Sequence, residues 1–129
     1  MYEDHEGIIW VGTGSPFDPS REGGLNKFDR KTGKFSQYQH EEGNKNTICG
    51  NNVLSITEDN NENIWIGTWG AGITVFNKKK NTYKQYKNDP KDPYSLVGNN
   101  AWVILKDRGN NIWIGVQGKG LCLYDRDND

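Results

Sequence analysis

The sequence has few of the residues that build metal and catalytic centres, and it has no long apolar run. Its 129 residues include two cysteines, Cys49 and Cys122, and two histidines, His5 and His40. Neither cysteine belongs to a CxxC pair, so we expect no structural zinc site and no other metal. No segment is long and apolar enough to span a bilayer, and no signal-peptide pattern opens the chain. We therefore expect no direct membrane insertion of this segment.

The chain also lacks a large excess of positive or negative charge. Sixteen Lys and Arg stand against seventeen Asp and Glu. A chain without a basic surface field is a poor partner for nucleic acid or an anionic membrane, and neither is expected. The basic run at residues 78–80 lies between two strand-like segments and is interpreted as a solvated turn. Hydrophobic residues make up only 33% of the chain, but 12% are aromatic, so a few large rings are expected to supply the buried area.

The recognised signatures of enzymes are missing as well. There is no GxSxG, HExxH, P-loop or GxGxxG in a suitable context. Residues 55–65 resemble the Asp-box turn of sialidase propellers, but the Asp-to-Trp spacing and the missing turn glycine do not fit. We expect no catalytic residue and no cofactor.

What the chain does contain is one pattern repeated three times. The blocks IWVGT, IWIGT and IWIGV occupy residues 9–13, 64–68 and 112–116, each a few residues after an aspartate. The second and third blocks lie 48 residues apart, and the first and second lie 55 apart because of an insertion between residues 14 and 23. A period of this length indicates a solenoid, a propeller or an array.

The second copy predicts four short strands, at residues 53–57, 64–68, 73–76 and 83–86, separated by turns rich in Asn, Gly and Lys. Four antiparallel strands per repeat are typical of a propeller blade. The predicted fold is therefore all-β, a partial propeller of about two and a half to three blades. The predicted blades cover residues 1–50 with a clipped first strand, 51–98, and 99–129 without a fourth strand. Met1 aligns with Ile56, inside a repeat, so we expect a fragment of a longer protein.

The Trp-x-Gly pattern predicts how the blades meet. Alternate residues of a strand point to the same side, so each Trp shares a face with the Gly two positions later. The glycine admits a close neighbour, and the indole fills the gap between blades. Each repeat also has an aspartate that opens the turn between its first two strands, which we interpret as a turn-capping carboxylate and not a calcium ligand. These structural residues are Asp4, Trp10, Gly12, Asp59, Trp65, Gly67, Asp107, Trp113 and Gly115.

Together these motifs resemble the two-component regulator propeller repeat. The acidic residues before the turn, the Ile-Trp-Ile-Gly-Thr block, the Gly-x-Gly that follows and the Tyr-Ser-Leu element at residues 94–96 carry the resemblance. The family implies the extracytoplasmic, periplasmic sensor region of a bacterial hybrid two-component system. Several such sensors detect glycan fragments, and the histidine kinase lies elsewhere in the protein. The resemblance thus implies a non-catalytic sensor segment that contributes to detecting an oligosaccharide and to signal transduction.

Residues that break the repeat are the candidates for ligand binding, because function tends to reside on variable loops. The loops after each fourth strand and between strands two and three are expected to share one face. Trp69 is interpreted either as a sugar-stacking ring or as a residue packed on a neighbouring loop, and packing is favoured. Trp102, which replaces Leu54, is expected in the core. The candidate ligand-binding residues are Trp69, Phe17, Arg21 and Tyr94.

The number of blades leads to a further expectation. Fewer than three complete blades leave apolar faces and strand edges uncovered, which favours self-association. Two chains are predicted to meet through blade faces and can together form a six-bladed ring. The alternative function is accordingly a structural or protein-interaction propeller segment that mediates dimerisation and has no ligand site of its own.

Overall fold

The computed structural model describes residues 1–18 and 20–129. In this part of the chain it shows eleven strands in three antiparallel sheets and no helix, which confirms the all-β prediction. Consequently, the described residues contain no helix of the length and apolarity needed to cross a bilayer.

The three sheets follow one another along the chain, and each has its strands side by side in sequence order. We name them blade 1, blade 2 and blade 3. Blade 1 contains β1 (Tyr2–Glu3), β2 (Ile9–Thr13), β3 (Gly24–Asp29) and β4 (Lys34–Tyr38). Blade 2 contains β5 (Val53–Glu58), β6 (Asn63–Thr68), β7 (Ile73–Asn77) and β8 (Thr82–Tyr86). Blade 3 contains β9 (Ala101–Lys106), β10 (Ile112–Val116) and β11 (Gly120–Leu123).

The turn between the first two strands of each blade has the same backbone form. One residue in each turn has a positive φ: Gly7 at 79°, Glu62 at 63° and Asn110 at 62°. These three residues occupy equivalent repeat positions. Gly and Asn tolerate this left-handed conformation well, whereas a Glu there is uncommon and carries some strain.

The core lies between the blades and not within any one of them. One apolar cluster joins blades 1 and 2, and it is formed by Trp10, Leu25, Ile48, Val53, Ile56, Ile64, Ile66 and Phe76. A second cluster joins blades 2 and 3, and it is formed by Trp65, Ile73, Leu96, Ala101, Ile104, Ile112, Ile114 and Val116. Both clusters form because each sheet can bury an apolar face only against its neighbour.

The third repeat differs because, among the described residues, no further sheet packs on the outer face of blade 3. Trp10 and Trp65 are buried, whereas Trp113 is only partly buried. Around Trp113 several large apolar side chains are exposed, namely Val103, Leu105, Leu121 and Leu123. The same motif is therefore core at two positions and surface at the third.

Candidate functional site

Each repeat aspartate makes two kinds of hydrogen bond. One oxygen of Asp4 accepts the backbone N–H groups of Glu6 and Ile8, both at 3.0 Å, and so closes the turn. Its other oxygen accepts the indole N–H of Trp10 at 2.9 Å. Asp4 therefore anchors the ring that fills the first interface, in addition to capping its turn.

The same arrangement recurs in the other two blades. Asp59 accepts the indole N–H of Trp65 at 2.8 Å, and Asp107 accepts that of Trp113 at 2.9 Å. Hydrogen bonds from Trp113 and Asn111 hold the pKa of Asp107 at about 2. Sequence reasoning missed this role of the aspartates, although a constant spacing of six residues to the tryptophan was visible in all three copies.

Two of the three motif glycines, Gly12 and Gly67, lie where the next blade approaches closely. A Cβ added at Gly12 would lie 2.5 Å from Cγ1 of Val53 in β5. A Cβ added at Gly67 would lie 2.7 Å from the carbonyl oxygen of Ala101 in β9. Real Cβ atoms do not approach so closely, so only glycine allows the inner strand of the next blade to reach these positions.

An ion cluster joins blades 1 and 2 on the face that carries the short turns. The ammonium group of Lys78 lies 2.8 Å from Asp4, 3.1 Å from Glu6 and 3.1 Å from Glu58. Burial alone would lower the pKa of Lys78, but the hydrogen bonds to the carboxylates raise it overall. Burial would likewise raise the pKa of Asp4, yet the hydrogen bonds from Lys78 and Trp10 hold it below its ordinary value. Lys78, the first residue of the basic run, is therefore part of the interface and not of a solvated turn.

His5 extends this cluster at the surface. Its ring Nδ1 lies 2.7 Å from Oε1 of Glu58, and its Nε2 lies 3.5 Å from Oε1 of Glu62. The hydrogen bond to Glu58 raises the pKa of His5, and the nearby Lys78 opposes this shift weakly. His5, Lys78 and their carboxylate partners form a charged network between two blades.

The opposite face brings loops of adjacent repeats together. The backbone N–H of Trp69 donates to the carbonyl of Asn52, and that of Gly70 donates to the side chain of Asn100. The N–H of Gln117, the repeat counterpart of Trp69, donates to the carbonyl of Asn100. The strand two to strand three turns therefore lie beside the segments that enter each new blade.

On this loop face two tryptophans meet. The rings of Trp69 and Trp102 lie edge to face, with centroids 6.0 Å apart and planes inclined at 76°. Trp69 is partly buried, and Trp102 is 45% exposed.

The expectation that Trp102 belongs to the core is wrong. The pairing of β9 with β10 shifts between Gly115 and Val116, so that Val103 and Ala101 are paired and Trp102 is left between them. A bulge of this kind redirects the side chain of the extra residue. Here the ring of Trp102 meets that of Trp69, which follows β6 of blade 2, and remains 45% exposed.

The other candidate ligand-binding residues lie apart from this pair. Phe17 and Tyr94 are exposed, at 80% and 96%. Arg21 forms an ion pair at 3.1 Å with Asp18, within its own loop. Within the described residues, these three side chains make no hydrogen bond, ion pair or aromatic contact with Trp69. Pro19, which belongs to the same inserted loop, lies outside the described residues.

The described residues offer no group of three or more His, Cys, Asp or Glu placed to hold a metal ion. Cys49 and Cys122 are both free. Cys49 is buried, and its N–H donates to the hydroxyl of Thr74 at 2.8 Å.

Three sheets joined by tryptophan-filled interfaces define a partial β-propeller. Residues 47–70 match the family model described as two component regulator propeller, which confirms the resemblance seen in the sequence. A search of curated proteins found no match.

Solved structures share the fold. The chain is 26% identical to the extracellular domain described as that of the hybrid two component system BT3049 from B. thetaiotaomicron, with a TM-score of 0.81. That match covers 98% of this chain and 17% of the other. It is 24% identical to the extracellular domain of BT4673 from the same organism, with a TM-score of 0.73, over 95% of this chain and 14% of the other. The chain thus spans about a sixth of the length of these structures, or less.

Proposed function

We propose that this chain is a non-catalytic segment of the extracytoplasmic sensor region of a hybrid two-component system, located in the periplasm, and that it contributes to detecting an oligosaccharide. Two observations support the sensor role: the family match over residues 47–70, and the similarity to extracellular domains described as belonging to such systems. The histidine kinase of the system is proposed to lie in another part of the protein.

The observation that carries the ligand proposal is the pair formed by Trp69 and Trp102. Two indoles at 76° to each other make an aromatic corner on the loop face. One side of a pyranose ring is apolar and stacks on an aromatic ring, and its hydroxyls need polar neighbours. Asn100, whose side chain contacts the turn after Trp69, places an amide in the same region.

The position of these rings also separates them from the structural tryptophans. Trp10 and Trp65 each donate an indole hydrogen bond to a repeat aspartate and fill an interface. Trp69 and Trp102 occupy positions where the other copies carry Gln117 and Leu54. A residue that the repeat does not require for packing is free to serve a function particular to this chain.

The repeat supplies matched variants for the test. Trp69→Gln and Trp102→Leu place at each position the residue that another copy of the repeat already tolerates. Tryptophan fluorescence of the chain is titrated with a panel of neutral and acidic oligosaccharides. We expect a saturable change for at least one sugar. Because each variant lacks one reporter indole, its binding is followed by titration calorimetry, and we expect binding to be lost in both variants and kept in Phe35→Ala, which alters an exposed aromatic residue of β4.

Two results would speak against the proposal. One is a panel in which no oligosaccharide produces a saturable change in the wild-type chain. The other is a sugar that binds Trp69→Gln, Trp102→Leu and the wild type with equal affinity. The second result would be compatible with the sensor role but would exclude the pair of Trp69 and Trp102 as the binding site.

A specific observation also favours the alternative function, a protein-interaction segment. The outer face of blade 3 exposes contiguous apolar side chains around Trp113. Large exposed apolar patches mark protein–protein or membrane interaction sites, ligand-binding grooves or sites of aggregation.

A further inference from the structure

The bulge that carries Trp102 leaves a side chain partly open even in a blade that has neighbours on both sides. Trp102 is the bulge residue of β9, and Leu54 is its counterpart at the equivalent register shift of β5. Blade 2 packs against a sheet on each side, and Leu54 is nevertheless only partly buried. A residue at this position therefore stays accessible from the loop face when both neighbouring blades are present.

The backbone around the aromatic corner of Trp69 and Trp102 has few acceptors to spare. The carbonyl oxygens of Asn52, Asn99 and Asn100 each accept a backbone N–H group from a neighbouring turn, at 2.9 or 3.0 Å. Acidic residues are absent from the segments that meet here, which are residues 50–54, 69–72, 97–102 and 117–120. The corner therefore has no carboxylate of its own.

The side-chain amide of Asn100 is oriented by the turn that follows Trp69. Its Oδ1 accepts the backbone N–H of Gly70 at 2.8 Å. An N–H group donates to the oxygen of an amide and not to its nitrogen, so this bond fixes the orientation of the amide. Within the described residues, the Nδ2 group has no protein acceptor. By contrast, the Nδ2 groups of Asn63 and Asn111 each donate to a repeat aspartate at 2.9 Å.

The indole N–H groups of the corner are also without a protein partner. The three structural tryptophans each donate from the ring to an aspartate. Among the described residues, the rings of Trp69 and Trp102 donate to no protein atom. Together with Nδ2 of Asn100, they leave three donor groups on neighbouring residues for solvent or a ligand. A surface of this kind matches a ligand that is rich in acceptor oxygens.

Two lysines flank the same segments. Cγ of Lys87 lies 3.3 Å from the place of a Cβ atom at Gly72, and Cγ of Lys119 lies 3.1 Å from that at Gly98. Another copy of the repeat carries an uncharged residue at each of the two lysine positions. Both cations are therefore particular to this part of the loop face.

The acidic residues of the adjoining loop do not pair with these lysines. Asp89 accepts the backbone N–H of Lys91, and Asp92 accepts that of Tyr94, both at 2.9 Å, so each carboxylate caps a turn of its own loop. Within the part of the chain that the structure describes, Lys87 forms no ion pair, and neither does Lys119. An anionic ligand would supply the counter-charge.

We propose that the sugar recognised at the aromatic corner is anionic, a pyranose that carries a carboxylate or a sulfate ester. This inference rests on the proposed oligosaccharide function of the same site. The apolar face of the sugar stacks on an indole, and its anionic group accepts the free N–H groups of Asn100. Lys87 and Lys119 add attraction for the negative charge. A neutral sugar can stack in the same way, but it leaves the cations without a counter-charge.

Matched pairs of oligosaccharides test the requirement for charge. Oligomers of galacturonate, of mannuronate and of hyaluronan are compared with their methyl esters, and carrageenan oligosaccharides are compared with their desulfated forms. Binding to the chain is measured by titration calorimetry. We expect at least one anionic oligosaccharide to bind about tenfold or more tightly than its neutral partner, because a hydrogen bond to a charged group is stronger. The uronate and sulfate pairs distinguish the two sources of charge.

A nearly isosteric variant tests the role of the amide. Asn100→Asp keeps an oxygen for the N–H of Gly70 and replaces the two donors of Nδ2 by an anionic oxygen. We expect it to weaken binding of the anionic sugar by about tenfold or more, because donation is replaced by repulsion. Asn61→Asp is the matched control, since it adds the same charge at an exposed position in the turn between β5 and β6, on the opposite face. Its affinity should equal that of the wild type, and far-ultraviolet circular dichroism checks the fold of both variants.

The outcomes separate this inference from the proposed function. Equal affinity for an anionic sugar and its neutral partner, or binding of neutral sugars alone, would overturn the inference and leave the oligosaccharide site in place. A chain that binds no sugar of either kind would overturn both. Wild-type affinity in Asn100→Asp would also overturn the inference, because the anionic group would then not be received by the amide.

Discussion

The indole nitrogen of Trp10 lies 2.9 Å from the carboxylate of Asp4, and the same oxygen of Asp4 lies 2.8 Å from the ammonium of Lys78. A single carboxylate therefore connects the turn of blade 1, the tryptophan that fills the interface and a lysine of blade 2. The hydrogen bond from the indole N–H to the aspartate recurs in all three blades. The contact between the aspartate and a lysine of the next blade is seen at the first interface.

Replacing Asp4 by alanine should destabilise the chain strongly. The change leaves the buried indole N–H and the largely buried Lys78 without their acceptor, and losses of about 3 kcal/mol are typical for such cases. Asp107→Ala is the matched control, because Trp113 lies on an open face where water can replace the carboxylate. Urea unfolding measures both variants, and equal losses would contradict the interface role of Asp4.

Alanine at Gly67 should cost more than alanine at Gly115. The new methyl group at position 67 would meet the backbone oxygen of Ala101 at 2.7 Å, so blades 2 and 3 must move apart. Overpacking of this kind costs about 1–3 kcal/mol. At Gly115 the clash is with the exposed side chain of Val103, which can rotate away. A loss at Gly115 as large as that at Gly67, again in urea unfolding, would argue against close approach between the blades.

The tryptophans should differ in their contribution to stability according to burial. Trp10→Ala removes a fully buried ring, a change that typically costs about 3–5 kcal/mol. Trp113→Ala should cost less and Trp102→Ala least, because these rings are increasingly exposed. Denaturation is measured at low protein concentration, since association shifts apparent stability by mass action. The reverse order would mean that the rings are not arranged as described.

The contact of His5 with Glu58 should make stability depend on pH. Because the pKa of His5 is raised in the folded chain, its contribution is fully present below the unfolded value of about 6.5 and is lost as the pH rises through the folded value. Comparison of the wild type with His5→Gln between about pH 5 and pH 8 should show a stability difference that is largest in acid and closes towards alkaline pH. A difference that does not change with pH would rule out the protonated contact.

Much of the fold could be predicted from the sequence. The repeat period and the two-residue alternation of Trp and Gly indicated four-stranded blades, because these features are local or depend only on counting along the chain. The strands β5 to β8 lie close to the predicted segments, with their ends shifted by about one residue. The interblade approach at Gly12 and Gly67 could also be anticipated, since a glycine two positions after a large ring has few other reasons to recur.

The candidate site was predicted less well. Trp69 stands out in the sequence because it breaks the repeat, whereas the position of Trp102 within a strand predicts a core residue. The bulge at Trp102 in β9, opposite Gly115 and Val116, decides otherwise. A bulge depends on the pairing of two strands, and nothing in the local sequence of β9 announces it. The basic run at residues 78–80 predicts a solvated turn for a related reason, because two of the carboxylates that bind Lys78 lie 20 and 74 residues away along the chain.

The amino-acid sequence alone determined the number of repeats, their β character and the residues that recur in each. This is possible because each copy makes the same local contacts and therefore needs the same residues at the same positions. Only the tertiary structure decided which copies of those residues are buried. Trp10, Trp65 and Trp113 stand in nearly identical sequence blocks, yet the third remains partly exposed because burial depends on the presence of a neighbouring blade. The same principle applies to Trp69 and Trp102, whose meeting on one face depends on how two blades are placed and cannot be read from either segment.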